Sequence, residues 1–382
     1  MKKVSFILLS ALILFSCVKF PKDTYVKILD VPADFDWKSI EKQNVVVTQV
    51  SSVLNETGDT IASFLPPGNY NLTVGKGTSL NIKTEQVSAL TKATGTVKQR
   101  IFFPAKDKYA TIMFEDLFPS KGDMDMNDIA FGLNIQIDMD NQARVLAIYF
   151  HIQPRAVGSS YRKIALAVNF TNNLNSNPGL ISYIYNSSNP ELIKFFNVNY
   201  VNSRTYTPEL NNSKSEVIPL TGNFRSYFSD TTELFMNVRN IDPAIATTEF
   251  TVMADMLTKN YYYWDFSLFD APAPGYINID LFAMFDVRSK EVHFKGQKYT
   301  ERFNLQYMMY TLPKTDFSTV DNWVWAIISD KSIRHPAEFV KIYNAYPNFK
   351  KWVESGGATN TNWYSPSVRD SLYTKKNYSY IN

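Results

Sequence analysis

The chain has very few of the residues on which metal-dependent and thiol-dependent enzymes rely. Its 382 residues include a single cysteine and three histidines. One cysteine cannot form a disulfide within the chain. The sequence also contains no His-Glu-x-x-His, Gly-x-Ser-x-Gly or phosphate-binding glycine motif. These absences argue against the zinc hydrolases, serine hydrolases and nucleotide-binding proteins that those motifs identify.

Charge of one sign is scarce as well. Lysine and arginine together number 39, against 36 aspartates and glutamates, and no long basic run is present. Phosphate backbones are bound by clustered Lys and Arg side chains, so we do not expect a nucleic-acid partner. After residue 17 the chain has no apolar run of about 20 residues, the length that a membrane-spanning helix needs. We therefore expect any membrane attachment to involve the N-terminal segment.

The N-terminal segment has the three zones of a secretory signal. Two lysines precede an apolar run from Val4 to Phe15, and Cys17 follows. Leu14-Phe15-Ser16-Cys17 resembles the lipobox of bacterial lipoproteins, in which the chain is cleaved before the cysteine and the cysteine is acylated. We therefore expect a lipoprotein signal peptide at residues 1–17, a tether at 18–24 and a lipid anchor on Cys17 in a bacterial cell envelope, at the outer membrane. The alternative is an ordinary signal peptide with an incidental thiol.

Aromatic residues are abundant, and they favour sheets over helical bundles. Tyrosine and phenylalanine number 23 and 27, and hydrophobic residues make up 45% of the chain. In residues 25–95, strand-like runs flank Pro66-Pro67-Gly68-Asn69, a strong turn signal. The stretch from Leu65 to Val74 resembles the closing hairpin of transthyretin-like modules. We predict a small N-terminal antiparallel β module here, closed by a helix or linker near residues 84–95.

Residues 96–382 predict a larger antiparallel β-sandwich-like domain. Strand-like runs occupy residues 109–114, 129–137, 145–152, 162–170, 233–238, 249–253, 276–285 and 291–294. Residues 171–215 are dense in Asn and Ser and predict a loop-rich insertion. Pro336 and Pro347 are expected to open short C-terminal helices, with Phe349 and Trp352 on one buried face. The whole chain is therefore predicted to be mainly β.

Oxygen-bearing side chains are concentrated at one predicted turn. They are Glu115, Asp116, Asp123, Asp125, Asn127 and Asp128. Hard cations such as Ca²⁺ take about 6 to 8 oxygen ligands, and a tight turn that alternates acidic and amide residues points several of them at one centre. Carboxylates this close repel one another unless a cation lies between them. We therefore predict that these side chains form a structural Ca²⁺ site.

The spacing of this turn differs from that of the helix-loop-helix calcium motif. Asp128 and Asn134 stand at the positions of the motif's glycine and its bidentate glutamate. Ligands from the preceding strand, Glu115 or Asp116, would help to complete the site. The alternative is a turn without metal, in which the side chains hydrogen-bond to the backbone. The sequence alone leaves both possibilities open.

Two other groups of residues are candidates for a functional role. Tyr261, Tyr263 and Trp264 lie in one aromatic run, and flat aromatic rings bind the apolar faces of sugars, so we predict these three as candidate ligand contacts. Neighbours on a strand point to opposite sides, so a mixed core and surface role is the alternative. Glu291 and His293 share one strand face, where a structural role is favoured over a joint catalytic one.

The acidic turn and several other segments resemble one family. The run from Phe114 to Asp128 resembles the signature of LruC-domain proteins, which are exported bacterial proteins whose domain has no assigned biochemical function. Further matches are Glu291-Val292-His293, Trp325-Ala326-Ile327 and the terminal run from Ala345 to Tyr364. Phe118 departs from the pattern, since the family is expected to have Trp there. The resemblance implies a β-rich cell-envelope domain over residues 96–382, commonly behind a lipid anchor.

These observations support one leading hypothesis and two alternatives. The leading hypothesis is a non-enzymatic envelope lipoprotein, a calcium-stabilised structural or interaction module whose partner is a glycan or a protein. The first alternative is a carbohydrate-binding surface protein that uses exposed aromatics. The second is a glycan hydrolase, which needs only two suitably spaced carboxylates and which sequence spacing does not exclude.

Overall fold

The computed structural model describes residues 29–86, 99–174, 183–189, 191–212, 214–309, 315–376 and 378–381. The predicted signal peptide, the predicted tether and Cys17 lie outside these ranges, as does most of the helix or linker predicted near residues 84–95. The domain boundaries that depend on those segments stay predictions.

Strands make up most of the regular structure in the described ranges, which confirms the prediction of a mainly β fold with short helices. The strands are β1 (Ile40–Val47), β2 (Ser51–Leu54), β3 (Thr60–Leu65), β4 (Gly68–Gly75), β5 (Asn81–Thr84), β6 (Gln99–Phe103), β7 (Ala110–Phe114), β8 (Ile129–Met139), β9 (Val145–Ala156), β10 (Ile164–Asn172), β11 (Tyr183–Asn186), β12 (Asn199–Asn202), β13 (Thr205–Thr207), β14 (Glu209–Asn212), β15 (Ser215–Pro219), β16 (Phe250–Met256), β17 (Phe266–Leu268), β18 (Ile277–Phe285), β19 (Glu291–His293) and β20 (Ala326–Ser329). The helices are α1 (Leu192–Phe195), α2 (Gln306–Met309), α3 (Ile342–Ala345) and α4 (Phe349–Glu354), with single 3-10 turns at Phe224–Tyr227, Tyr263–Asp265 and Arg369–Ser371. No helix within the described ranges has the length and apolar character needed to cross a membrane.

Two sheets face each other across the main core. The first has the order β12-β13-β11-β16-β9-β8-β6-β3-β2-β5, with β7 also bonded to β8 and β20 bonded to β7. The second has the order β14-β15-β10-β18-β17, with β19 also on β18. Side chains from both sheets meet in one core, where Phe150 of β9 lies edge-on to Phe170 of β10 with 6.5 Å between ring centroids. This is the predicted sandwich-like arrangement.

Strand β8 is central to the first sheet because three strands bond to it. One edge of β8 pairs with β9. The other edge is divided, since Ile135–Met139 pairs with β6 and Ile129–Leu133 pairs with β7. Phe114 at the end of β7 lies opposite Ile129 at the start of β8. The acidic turn therefore connects two neighbouring antiparallel strands.

Strands β7 and β20 are buried on both faces because a second core covers the far side of the first sheet. Ile112 and Ile328 belong to the main core, whereas Met113 and Ile327 belong to the second core. These strands therefore consist almost wholly of buried side chains instead of the alternation expected for a half-exposed sheet.

The second core is built from the beginning and the end of the described chain. Its large buried aromatics are Phe35, Trp37, Trp323, Tyr346, Phe349, Trp352 and Trp363. Phe35 lies edge-on to Trp352 with 4.9 Å between ring centroids. The indole N–H of Trp363 donates to Ser39 Oγ over 2.9 Å. The predicted burial of Phe349 and Trp352 on one helix face is confirmed.

The N-terminal strands are continuous with the larger sheet. Ala62 of β3 pairs with Ile101 of β6, across the boundary predicted after residue 95. β4 pairs with β1 instead of with its neighbour β3. Pro66 and Pro67 therefore carry the chain from the first sheet into a separate two-stranded pair, and the hairpin suggested by the sequence does not form across them.

The segment predicted to be loop-rich, 171–215, carries α1 and the short strands β11 to β14 between loops where it is described, and Tyr185 pairs with Tyr206 across two of these strands. One local strand prediction in the middle of the chain was wrong. The segment predicted as a strand at Glu233–Val238 makes only an isolated bridge from Met236 to Val157. Asn237 has a φ of 58°, which interrupts an extended strand at this point.

The helix predicted to open at Pro336 begins later, at Ile342. Most of the intervening backbone bonds to other segments, and only the Val340 N–H donates within it, to the Ala337 carbonyl over 3.0 Å. The Pro336 carbonyl accepts a bond from the Asn127 side chain over 3.3 Å, and the Phe339 N–H donates to Asp125 Oδ2 over 2.8 Å. These bonds hold residues 336–339 against the acidic turn, with a turn at Glu338 and Phe339, where Phe339 has a φ of 62°.

Removing a large side chain from the second core tests whether that core stabilises the fold. Trp352→Ala is expected to lower the free energy of unfolding by about 3–5 kcal/mol, because the cavity it leaves cannot fully collapse. Phe339→Ala is the matched control, since Phe339 is 72% exposed and its truncation should change stability by less than about 0.5 kcal/mol. Urea unfolding followed by fluorescence measures both. Equal losses in the two variants would contradict this assignment.

Candidate metal site

The acidic turn separates its polar side chains from its apolar ones. Met124 and Met126 have φ angles of 63° and 57°, and their side chains enter the second core. The residues that alternate with them, Asp123 and Asp125, come together with Glu115 instead. With this left-handed backbone, the two methionines face the second core and the two aspartates face Glu115 on the other side of the loop.

Three carboxylates form the centre of this cluster. Glu115, Asp123 and Asp125 each place one oxygen within 4.8 Å of the other two. Glu115 is fully buried; its Oε1 accepts a bond from the Met126 N–H over 2.8 Å, while its Oε2 has no donor among the described residues. A side chain at Gly122 would begin 2.6 Å from that oxygen, and the φ of 69° there also favours glycine.

Asp116 and Asp128 hold the two ends of the turn together. Asp128 Oδ2 accepts a bond from the Asp116 N–H over 2.7 Å. The Ser159 hydroxyl donates to Asp116 Oδ2 over 2.5 Å. Both carboxylates therefore fix the turn to itself and to the segment that follows β9, as well as adding negative charge.

Asn127 and Glu338 face the same point from different parts of the chain. Asn127 Oδ1 and Glu338 Oε2 are buried, and within the described ranges neither has a hydrogen-bond donor. A side chain at Gly158 would collide with the Asn127 oxygen and begin 3.0 Å from the Glu338 oxygen. Sequence reasoning missed Glu338, because it lies in the C-terminal segment and no local spacing connects it to the turn.

The carboxylates of the site raise one another's pKa values. Burial, with the charges of Asp123 and Glu338, raises the pKa of Asp125 to about 8. Burial and the charge of Asp123 raise the pKa of Glu338 to about 7. Burial and neighbouring aspartates also raise the pKa values of Glu115 and Asp128 well above their usual range.

No lysine or arginine in the described part of the chain forms an ion pair with the carboxylates of this site, which are Glu115, Asp116, Asp123, Asp125, Asp128 and Glu338. The nearest basic residue in sequence, Lys121, pairs with Asp321 instead. Oxygen donors without histidine or cysteine are the ligands that Ca²⁺ and Mg²⁺ take in proteins. The charge of Lys290 acts on Asp116 and that of Arg239 acts on Glu338, which offsets part of the negative charge without a direct ion pair. The donor set and its remaining charge fit a hard divalent cation.

The structure removes two of the three predicted aromatic ligand contacts. Tyr261 and Tyr263 are buried in the main core, and the Tyr263 hydroxyl donates to the Asn71 carbonyl over 3.0 Å. Only Trp264 is exposed, at 40%, with Tyr262 stacked on it at 4.8 Å. A 3-10 turn occupies Tyr263–Asp265, and around it Tyr261 and Tyr263 face the core while Trp264 faces the surface.

Glu291 and His293 belong to a buried ion network of the second sheet. His293 lies 2.6 Å from Asp280 through Nδ1 and 3.0 Å from Glu291 through Nε2. Arg288 pairs with both Glu291 and Glu209. Burial lowers the pKa of His293, but the two carboxylates outweigh burial and raise it to about 9. Burial raises the pKa of Glu291, yet the bond from His293 and the charge of Arg288 hold it at about 2. Imidazolium and carboxylate neutralise each other in the core.

The His293 network predicts a pH-dependent contribution to stability. The pKa of His293 is higher in the folded chain than its ordinary 6.5, so the stabilisation is complete below pH 6.5 and is lost as the pH rises through 9. The difference in unfolding free energy between wild type and His293→Gln should therefore shrink by up to about 3 kcal/mol from pH 6.5 to 10. Urea titrations across that range measure it. A constant difference would show that His293 is neutral.

Comparison with known proteins gives a family and a fold. Residues 143–364 match the model of a family described as a domain of unknown function, DUF4842. No curated protein matches the sequence. A crystal structure described as a putative lipoprotein from Bacteroides ovatus is similar, with a TM-score of 0.53 and 13% identity over 89% of this chain and 94% of that chain; at that identity the likeness shows a shared fold alone. Since the family model matches more than half of its length, the chain belongs to the DUF4842 family.

Proposed function

We propose that this chain is a lipid-anchored protein of the bacterial cell envelope, and that its β domain is a non-catalytic structural or interaction module stabilised by Ca²⁺. The observation that carries the calcium proposal is the convergence of Glu115, Asp123 and Asp125 around a buried oxygen, Glu115 Oε2, that lacks a donor in the described chain. A buried acceptor without a partner is costly, and a cation bound by all three carboxylates would remove that cost.

The position of the site explains what a cation would stabilise. The acidic turn joins β7 to β8, Gly158 follows β9, and Glu338 lies in the C-terminal segment. Asn127 and Glu338 each add an oxygen without a donor in the described residues. A cation held here would therefore fasten the centre of the first sheet to the segment that leads into the second core. This role is structural, since the carboxylates and their bonds are directed at other parts of the fold.

The envelope location is supported by the N-terminal sequence. Leu14-Phe15-Ser16-Cys17 has the lipobox pattern, and the structure of similar fold carries the description of a putative lipoprotein. The acidic signature supports the more specific proposal that the chain is an LruC-domain protein, although the matched range begins at residue 143, after that signature. We place the anchor at the outer membrane and assign a protein or glycan as partner.

The non-catalytic proposal is supported by the enclosure of one candidate pair. Glu291 and His293 are fully buried and bonded to each other, so neither is available to a substrate. The glycan-hydrolase alternative would instead need a cleft with two carboxylates roughly 5 to 10 Å apart.

Calcium is expected to raise the melting temperature of the mature domain. A ligand at about 100 times its Kd stabilises the folded form by about 2.7 kcal/mol, which for a chain of this size corresponds to roughly 4 °C. Asp123→Asn should abolish this response. In EDTA, however, Asp123→Asn should be at least as stable as wild type, because it removes one of several repelling charges. Differential scanning calorimetry in Ca²⁺ and in EDTA measures all four values.

Asp34→Asn is the matched control, since Asp34 is exposed and lies outside the site; it should keep the full calcium response. If wild type did not respond to Ca²⁺, or if Asp123→Asn responded as strongly as wild type, the metal proposal would be overturned. A loss of stability of Asp123→Asn in EDTA alone would favour the metal-free turn held by side-chain bonds.

Lipidation is expected to depend wholly on Cys17. Cells expressing the full chain and supplied with an alkyne-tagged fatty acid should label the wild type, and the protein should fractionate with membranes. Cys17→Ser should lose the label and leave the membrane fraction. Because Cys17 is the single cysteine, no other thiol can take its place. Labelling that survives the substitution would overturn the anchor.

A further inference from the structure

The most exposed large hydrophobic side chains of the described chain are grouped around the acidic turn. Ile241, Phe339 and Val320 are 85%, 72% and 63% exposed, more than any other large hydrophobic residue in the described ranges. Single apolar residues are common on protein surfaces, whereas a group of them marks a place of contact with another molecule or a membrane. We call these three side chains the apolar tips, because each lies in the middle of a short turn.

The backbone holds each apolar tip in a fixed position. The three turns span residues 239–242, 319–322 and 337–340, and each is closed by a hydrogen bond of 2.9–3.2 Å from its last N–H to its first carbonyl. Phe339 has a φ of 62°, a left-handed conformation that is uncommon for a bulky side chain. The fold therefore presents exposed apolar side chains on ordered turns.

Two of the turns are bonded directly to the acidic turn. The Phe339 N–H donates to Asp125 Oδ2 over 2.8 Å. Asp321, the neighbour of Val320, forms an ion pair with Lys121 of the acidic turn. The apolar tips Val320 and Phe339 therefore belong to segments that lie beside the acidic turn.

The third turn is joined to the one that carries Phe339. The Glu338 N–H donates to the Val238 carbonyl over 2.9 Å. Val238 directly precedes the turn at 239–242, which carries Ile241. All three apolar tips are thus connected to one end of the first sheet, the end at which the acidic turn lies.

The described chain begins beside the same turns. Leu29 lies in the second core, and the Val31 carbonyl accepts a bond from the Asn322 side chain over 2.9 Å. Asn322 is the last residue of one of the three turns. Residues 18–28 separate Leu29 from Cys17, and since a chain extends by at most about 3.6 Å per residue, a lipid on Cys17 lies within roughly 45 Å of Leu29. An anchor there would hold this end of the fold towards the bilayer.

The opposite end of the first sheet lies far from the apolar tips. Strand β8 runs from Ile129 at the acidic turn to Met139, a length of roughly 33 Å at 3.3 Å per residue. Beyond Met139, the Ala143 carbonyl accepts a bond from the Tyr263 N–H over 2.9 Å. Trp264, the next residue, is therefore an exposed aromatic at the end of the sheet away from the acidic turn.

We propose that the apolar tips insert into the lipid bilayer to which Cys17 is anchored, so that the domain contacts the membrane through its own surface as well as through the lipid. This contact depends on the lipid anchor proposed above. Apolar groups at a membrane surface enter the boundary between headgroups and acyl chains to a depth of about 5–10 Å. The anchor keeps the apolar tips close to the bilayer, so a contact too weak to bind a free protein would still form.

The test uses the full chain, lipidated in cells and reconstituted into phospholipid vesicles. With Cys17 acylated, Ile241→Cys, Val320→Cys and Phe339→Cys each provide a single free thiol for an environment-sensitive dye. Lipids with a nitroxide on the acyl chain quench a dye inside the bilayer, whereas iodide quenches a dye in water. The three dyes should lose most of their fluorescence to the nitroxide lipids, be shielded from iodide and emit further to the blue.

Trp264→Cys is the matched control, and its dye should be quenched by iodide and not by the nitroxide lipids. Far-UV circular dichroism checks that each variant is folded. A chain that does not float with the vesicles would overturn the anchor and this inference together. A floating chain whose dyes at residues 241, 320 and 339 are quenched by iodide as strongly as the control would overturn this inference alone. Shielding of those dyes from both quenchers would show that a protein or a second copy covers the apolar tips, and would also overturn it.

Discussion

The second core depends on the conformation of the loop between β7 and β8, and that conformation brings several negatively charged side chains close together. The same short loop supplies Met124 and Met126 to the apolar interior and gathers Asp123 and Asp125 against Glu115. It also binds the C-terminal segment, since the Met124 carbonyl accepts a bond from the Ile342 N–H over 2.9 Å. The start of α3, and through it the aromatic core, is therefore positioned by a loop whose carboxylates repel one another.

The described chain has two clusters of buried carboxylates, and they differ in whether basic side chains pair with them. In the second sheet, the carboxylates of Glu209, Glu291 and Asp280 bond directly to Arg288 and His293, so basic side chains of the chain itself offset most of the negative charge. The acidic turn has more carboxylates, and no basic side chain in the described chain forms an ion pair with them, although the charges of Lys290 and Arg239 act on Asp116 and Glu338. Buried charge that is offset only in part favours either protonation or a bound cation. The raised pKa of Asp125 shows the first route, and the converging oxygens provide the second.

Local sequence patterns predicted the strands and the turn but not their partners. The acidic turn was recognisable because its side chains are close in sequence, and the long strands because their apolar and aromatic runs are continuous. Glu338 was not recognisable, since its place beside Asn127 depends on a C-terminal segment that is distant in sequence and bonds to the turn. The same reason accounts for the helix predicted at Pro336. Pro336 is a residue that commonly occupies the first turn of a helix, but hydrogen bonds to other segments outweighed this local preference.

The burial of Tyr261 and Tyr263 was not predictable from local sequence either, because an aromatic run does not reveal which of its rings face the core. The strand register seen in the structure places Asn169 opposite Asp280. No local pattern predicts this pairing, because the two residues are far apart in sequence.

The composition of the chain also bears on why a cation would suit this fold. With one cysteine, the domain has no disulfide to fasten distant segments, which is the common device of exported proteins. A metal bound to both the acidic turn and the C-terminal segment would link residues that are distant in sequence, as a disulfide that closes a long loop does. Sites in extracellular modules work with Kd values of about 10⁻⁴–10⁻³ M, since calcium outside cells is abundant. Protons that bind to these carboxylates near neutral pH compete with the metal, which lowers the affinity of the site for the metal. An affinity in that range would be enough to fill the proposed site at the calcium concentrations in which such modules work.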